Sequence, residues 1–518
     1  MRDPIVSLHG FGLVNSRFGA SCFALAMGLV AASAPALAQE VAGPAPTSVD
    51  EAAASEGKDA DEIVVTGTLI RGVAPVGANS ISLGAEKIQE VGAISTNQLL
   101  ATVPQVSNFF NSVPLANLNI AVNQVQTSRP SIRNIGNSVT TTSPTLVLVN
   151  GHRIAGVGVT QSSVDPDMIP TGAIGRVDVN TEGGSATYGA DAVAGVINFI
   201  TMRRFNGVKV DANYGFADNY SQWSAGVTAG KEWGTGSAFI SYSYAKTEAL
   251  FGRDRSYANN LDYTTPPPYQ GADLTCSNPN LTLSTLLVSQ LGGSVIFNLG
   301  DEPYAAPNFV QGTANRCDNS KNGTLLPKSE RHGVFFGLNQ ELGDKTTIDF
   351  HAFYGQRFTE MRSEAVGTVA LGSGNPAASL LPTGLSVGDQ GYMIAGFPVE
   401  NRALVKFSFA PVLGPSPLTQ TTSLKEWGAD LEITHNFSDD WQLKVLGAWS
   451  ESDSRYNLQS VNQARLDAAG NATTPATAIN PLDITQTNRA LIDDLIDNEL
   501  AGQVRDRLVP LRAIVEGR

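Results

Sequence analysis

Residues Met168–Thr201 read MIPTGAIGRVDVNTEGGSATYGADAVAGVINFIT, and this stretch decides the fold. Two short apolar runs, Arg176–Val179 and Val193–Ile200, flank a hinge that contains Gly183, Gly184, Gly189 and Gly195. The runs are too short for ordinary helices and rich in β-branched residues, so they predict strands. Glycine permits tight turns and close backbone approach that other residues resist. No nucleophile, base or metal-ligand cluster is packed into the stretch. It is built for shape rather than for bond chemistry.

Three motifs stand upstream. Ser95-Thr96-Asn97-Gln98 has the Ser-Xaa-Xaa-Gln form of a capping box. It predicts a short helix with Leu99, Leu100 and Val103 facing inward, stopped before Pro104. Ser131-Ile132-Arg133-Asn134-Ile135-Gly136 reads as a turn in which Asn134 tolerates left-handed backbone. Thr145-Leu146-Val147-Leu148-Val149 runs into Asn150-Gly151, a strong hairpin signal, and then His152-Arg153.

This ordered series, from about Glu62 to Thr201, resembles the plug domain of TonB-dependent outer-membrane receptors. Gly183-Gly184-Ser185-Ala186-Thr187-Tyr188-Gly189 is similar to that family's Gly-Xaa-Ser-Ala-Xaa-Tyr-Gly hairpin. Gly195-Val196-Ile197-Asn198 is similar to its final plug strand, which runs straight into the barrel. In the family, plug arginines pair with acidic residues of the barrel wall. The resemblance makes Arg133 and Arg176 candidates for that role, against the plainer reading of two solvated arginines. Asn134 stands where the family has glycine, and Gly175 where it often has glutamate; Asp178 keeps a carboxylate two residues further on.

Beyond Phe205 the pattern becomes strict period two. Val208, Val210, Ala212 and Tyr214 alternate with Lys209, Asp211, Asn213 and Gly215. Similar sets begin at Trp223, Ala238, Val334, Ile348, Trp427 and Trp441, giving seven strands. One apolar and one polar face, with lipid outside and an aqueous lumen inside, is the membrane-barrel pattern. Gly234-Thr235-Gly236, Gly343-Asp344-Lys345 and Ser438-Asp439-Asp440 are tight turns. The connections on the other side are long: 250–331, 361–424 and 451 onward. Short periplasmic turns and long external loops follow the barrel rule, and Trp233 and Trp441 sit where an aromatic girdle belongs.

The expected class is therefore mainly β: an α/β plug domain over 75–205, then an incomplete antiparallel transmembrane β-barrel over 206–518. Plugged outer-membrane barrels have about 22 strands. Residues 488–517 show helical spacing through Leu491, Leu495, Leu500, Val504, Leu508 and Leu511, and no further strand is expected there. That end suggests a truncated or frameshifted frame, an incomplete record, or a split barrel completed by a second chain.

The N-terminus reads as an export leader over 1–38. Arg2 and Arg17 are followed by the short apolar run Phe23–Ala34 and the small-residue site Ala36-Leu37-Ala38. A polar, Ala/Pro/Glu-rich arm over 39–61 has nothing to bury and reads as a disordered tether. Glu62-Ile63-Val64-Val65-Thr66-Gly67 is a β-branched run on that arm, suited to adding a strand to a partner's sheet. It resembles the TonB box, which implies a TonB-type periplasmic energy transducer as partner.

The formal charge of −14, from 34 basic and 48 acidic residues, disfavours nucleic acid as a partner. Beyond the leader the chain has two cysteines, Cys276 and Cys317, both in the first long loop. An oxidising compartment favours a disulfide between them over two free thiols. The five histidines, His9, His152, His332, His351 and His435, form no metal-ligand spacing. No catalytic residues, metal site or cofactor is expected. The implied function is import of a scarce small solute across an outer membrane, with lipid around the barrel. The alternatives are a non-functional fragment of such a receptor and a passive porin or adhesin.

Overall fold

The computed structural model describes residues 80–91, 95–108, 129–135, 144–159, 163–259, 274–288, 294–297, 303–381, 388–394 and 397–517. The expected leader over 1–38, the expected arm over 39–61, the 62–67 segment and Gly136 lie outside these residues. In chain order the N-terminal unit holds β1 (Ser80–Gly84), α1 (Ala85–Val91), α2 (Thr96–Leu100), β2 (Val106–Asn108), β3 (Pro130–Ile132), β4 (Thr145–Val149), β5 (Ile174–Asn180), α3 (Ser185–Tyr188) and β6 (Gly195–Thr201). Its main sheet has the order β1-β5-β6-β4, antiparallel except for β4 beside β6.

The two apolar runs of the opening stretch are β5 and β6, which lie antiparallel in register with Asn180 opposite Val196. Their connection differs from the expected hairpin. Ser185–Tyr188 forms a single helical turn, closed where the Gly189 amide donates to the Ser185 carbonyl with Gly189 at φ +86°. The 14 residues between the strand ends, 181–194, are too many for a tight turn, and a helical turn uses their backbone groups internally. Gly195 has φ +147°, and a Cβ there would collide with the Asn180 carbonyl oxygen and with Ile132. The predicted helix cap is present: the Gln98 amide donates to Ser95 Oγ at 3.1 Å, and Leu99, Leu100 and Val103 are buried.

The second part is one antiparallel sheet, ordered β7 (Gly207–Ala217), β8 (Tyr220–Trp233), β9 (Gly236–Thr247), β10 (Lys328–Leu342), β11 (Thr346–Ser363), β12 (Leu418–Asn436) and β13 (Trp441–Val461). An eighth position is shared by β14 (Ile496–Leu508) and β15 (Leu511–Gly517), both paired to β13. This corrects the helical reading of 488–517, of which only Arg489–Asp494 is helix. Val504 and Leu508 are spaced by four, and four is an even number: such residues share a face in a strand as well as in a helix; Leu500 falls on the other face, across a bulge that precedes Gly502. The open amides of β13 decide between the two by recruiting a partner.

The six pairings from β7 to β13 run without a register shift, so each face keeps its parity across them. On β13 the outward residues Trp441, Leu443, Val445, Gly447 and Trp449 give way to Glu451, Asp453 and Arg455. The distance from Trp441 to Trp449 along the strand is about 26 Å at ordinary strand rise. That matches the apolar band of about 25 Å expected of a membrane barrel. The connection between β7 and β8 is only Asp218-Asn219.

The other external connections fold together. Strand Asn280–Val288 of the first pairs with strand Phe397–Ser408 of the second. Helix Gln463–Asn471 of the third lies on strand Val366–Ala370 of the second. Val369, Phe407, Phe409, Leu466, Ile479 and Ile492 form their shared core. Cys276 and Cys317 are disulfide-bonded, as the sequence favours.

Gly195→Ala is expected to destabilise the α/β unit by about 1–3 kcal/mol, because the methyl group must displace backbone as well as side chain. Gly189→Ala, with open space around it, should cost less, only the left-handed backbone strain. Urea midpoints of the two variants check the order.

Candidate functional site

The two strongest sequence motifs meet in space. Asn150 and Gly151 form a left-handed turn at φ +50° and +76°, directly beside the end of β6. The Gly151 amide donates to Asn198 Oδ1 at 2.9 Å, and the Thr201 amide donates to Asn150 Oδ1 at 2.9 Å. The Asn150 amide donates to the Phe199 carbonyl at 2.8 Å. Asn198 thus closes the Asn150-Gly151 turn, and Asn150 in return holds the end of β6. Arg153 reaches the Tyr188 carbonyl at 2.7 Å and Asp191 at 2.6 Å, holding the Gly184–Gly189 segment against this turn.

The α/β unit lies on the inward face of the barrel-type sheet. Its core, with Val177, Ile197 and Phe199, continues into Phe239, Phe335 and Phe353 of β9, β10 and β11. On β13, three inward serines spaced by two bond its backbone. Ser450 Oγ accepts from the Ala155 amide at 2.7 Å, Ser454 Oγ accepts from the Gly158 amide at 3.1 Å, and Ser452 Oγ donates to the Gly156 carbonyl at 2.7 Å. Contacts on β8 at one end and β13 at the other show that the sheet wraps this unit.

The densest polar contact is a helical turn, Pro166–Met168, capped by Asp165. Asp165 is fully buried and pairs with Arg357 of β11. Asp167 pairs with Arg331 of β10 at 2.9 Å. It also accepts from Thr96 Oγ1 at 2.6 Å and from the Asn97 amide at 2.9 Å, so the capped start of α2 rests on the same carboxylate. Arg331 and Arg357 stand directly opposite each other across β10 and β11. Like charges in that position repel. The two carboxylates of Asp165-Pro166-Asp167 resolve the repulsion.

Nearer the short turns, Arg203 pairs with Asp349 at 3.0 Å, and Arg204 with Glu341. His152 lies 3.4 Å from Glu432, which also holds Lys444 at 3.3 Å. His152, Arg203, Asp349, Glu432 and Lys444 are among the residues that line a cavity of about 70 Å³ between the unit and the wall. That volume holds a few waters. No group of three or more metal-ligating side chains occurs among the described residues.

Arg133 is exposed at a left-handed turn, φ +55°, beside Asn134 at φ +56°. Arg176 bonds Asp178 of its own strand at 3.3 Å. Pairs that tie the unit to the wall run through Asp165, Asp167, Arg203 and Arg204, and at Asp165 and Asp167 the carboxylates are on the unit and the arginines on the wall. Sequence reasoning missed these residues. The available signals were the period-two serines at 450, 452 and 454 and the inward parity of Arg331 and Arg357.

Residues 75–196 match the family model described as TonB-dependent Receptor Plug Domain. The α/β unit is a TonB-dependent receptor plug. Solved structures similar to most of the chain include the siderophore receptor PiuA from Acinetobacter baumannii, 14% identical, covering 88% of this chain and 58% of that one at a TM-score of 0.36. A mutant ferric enterobactin receptor, PfeA, from Pseudomonas aeruginosa is 13% identical and covers 85% and 55% at a TM-score of 0.35. The chain therefore spans under two thirds of the length of these structures. The plug is followed by strands of an incomplete barrel, the architecture that its sequence implies.

Arg357→Met should weaken plug docking by about 3–5 kcal/mol, the usual cost of leaving a buried charge without its partner. Arg331→Met should cost about 1–3 kcal/mol, because Asp167 keeps its bonds from Thr96 and Asn97. Hydrogen exchange at the β4 and β6 amides checks both values.

Proposed function

We propose that this chain supplies the plug and adjoining wall of a receptor that imports a scarce small solute across the outer membrane. A periplasmic TonB-type partner pairs with Glu62–Gly67 and pulls. The pull withdraws part of the plug from the wall and opens the lumen. External connections and the upper plug surface receive the solute. The surrounding solvent of the outward face is outer-membrane lipid, and the protein performs no bond chemistry.

The observation that supports this reading is the way the plug is held. Its contact with the wall is rich in hydrogen bonds and ion pairs, at Asp165, Asp167, Ala155, Gly158 and Arg203. A polar contact of this kind re-forms with water when broken, so a plug can leave and return. A purely apolar seat would resist wetting.

The test uses Val65→Pro in an intact gene. Proline removes a backbone amide needed for strand pairing. Energised uptake is expected to fall to background while solute binding at the cell surface stays unchanged. Uptake at the wild-type rate would overturn the reading.

A further inference from the structure

We propose that Glu426 is a positioning residue: it receives the Arg357 guanidinium when the plug's Asp165–Met168 turn withdraws. This rests on the reading that the plug moves. Glu426 lies on β12, faces inward and is fully buried. Neither of its carboxylate oxygens has a hydrogen-bond partner. Buried polar groups are nearly always bonded, so an unbonded carboxylate calls for an explanation. Arg357 is its charged neighbour, and Arg357 is committed to Asp165 of the plug.

The register shows what keeps the two apart. Arg357 is opposite Leu424, and Glu426 is opposite Gly355. Arg357 and Glu426 are therefore diagonal neighbours on one face, about 7–8 Å apart at their roots and within reach of two long side chains. Gly355 leaves a gap beside Glu426, and Met168 of the plug fills it: a Cβ on Gly355 would lie 2.5 Å from Met168 Sδ. Met168 is itself fully buried, packed with Val157 and Leu424.

One short helical turn thus carries the competing carboxylate, Asp165, and the wedge, Met168. When that turn withdraws, both leave together. Released from Asp165, Arg357 reaches across Gly355 to Glu426. The swing also carries it away from Arg331, whose charge is no longer offset by Asp167. Glu426 contributes little to the docked plug and stabilises the wall once the plug has gone. It lowers the barrier to withdrawal without loosening the resting state.

The experiment pulls the full chain from its N-terminus, in detergent micelles, with a force probe. The instrument replaces the periplasmic partner, so failure of the Val65→Pro test leaves this test intact. Asp165→Asn should speed plug withdrawal at a fixed force, and no change would refute the latch itself. Glu426→Gln should slow withdrawal about tenfold, the order expected of one close charge pair, with resting hydrogen exchange of β5 unchanged. A merely structural role for Glu426 gives the opposite sign, with faster withdrawal and faster exchange. Glu426→Asp, which keeps the charge on a shorter stem, should restore part of the wild-type rate. In an Arg357→Gln background, Glu426→Gln should have no further effect. Withdrawal from Glu426→Gln at or above the wild-type rate, or an undiminished effect in the Arg357→Gln background, would overturn the proposal.

Discussion

Each strand of the barrel-type sheet has two faces that meet different solvents, and the rest of the structure follows from that constraint. In hydrocarbon the backbone has no water to bond, so strands must pair edge to edge. Pairing fixes register, and register fixes parity, because a slip of one residue would turn every apolar side chain inward. Tyr242, Val334, Tyr354 and Trp427 fall in one row across β9 to β12 for this reason. The same parity sets Arg331 and Arg357 side by side on the other face. Two arginines there are unfavourable until something anionic arrives. The plug brings two carboxylates on one turn.

That arrangement makes the plug a charge partner of the wall as well as its filling. Apolar contact supplies much of the fit, with Phe239, Phe335 and Phe353 reaching into the plug core. Polar contact supplies direction. Asp165 and Asp167 fix the turn between β4 and β5, the serines of β13 fix the chain at Ala155–Gly158, and Arg203 and Arg204 fix the exit into β7. The interface is held at several points by bonds that water can replace.

Much of the fold was legible in the sequence because its strongest signals are local. Period-two alternation needs only a strand and two environments, and the Asn150-Gly151 and Gly195-Val196-Ile197-Asn198 motifs carry their own turn chemistry. The two cysteines beyond the leader left one intramolecular pairing. The misreadings came where local pattern was ambiguous. Spacing by four at Val504 and Leu508 fits either helix or strand, and the open edge of β13 selects the strand. The Gly184–Gly189 connection carried hairpin residues yet had length for a helical turn. The latch was hidden for another reason: Asp165 and Arg357 are 192 residues apart, and an Asp-Pro-Asp turn looks like any exposed loop until the wall is built around it.

The central claim is that the plug sits on the inward face of the sheet, with Ala155–Gly158 laid along β13. Cysteines placed at Ala155 and Ser450 test it most directly, since the Ala155 amide and Ser450 Oγ are 2.7 Å apart. Mild oxidation of the purified Ala155→Cys/Ser450→Cys chain should give one fast-migrating, reductant-sensitive band in which peptides around the two positions are joined. Recovery of both cysteines as free thiols after oxidation, with the native Cys276–Cys317 bond intact, would contradict the account.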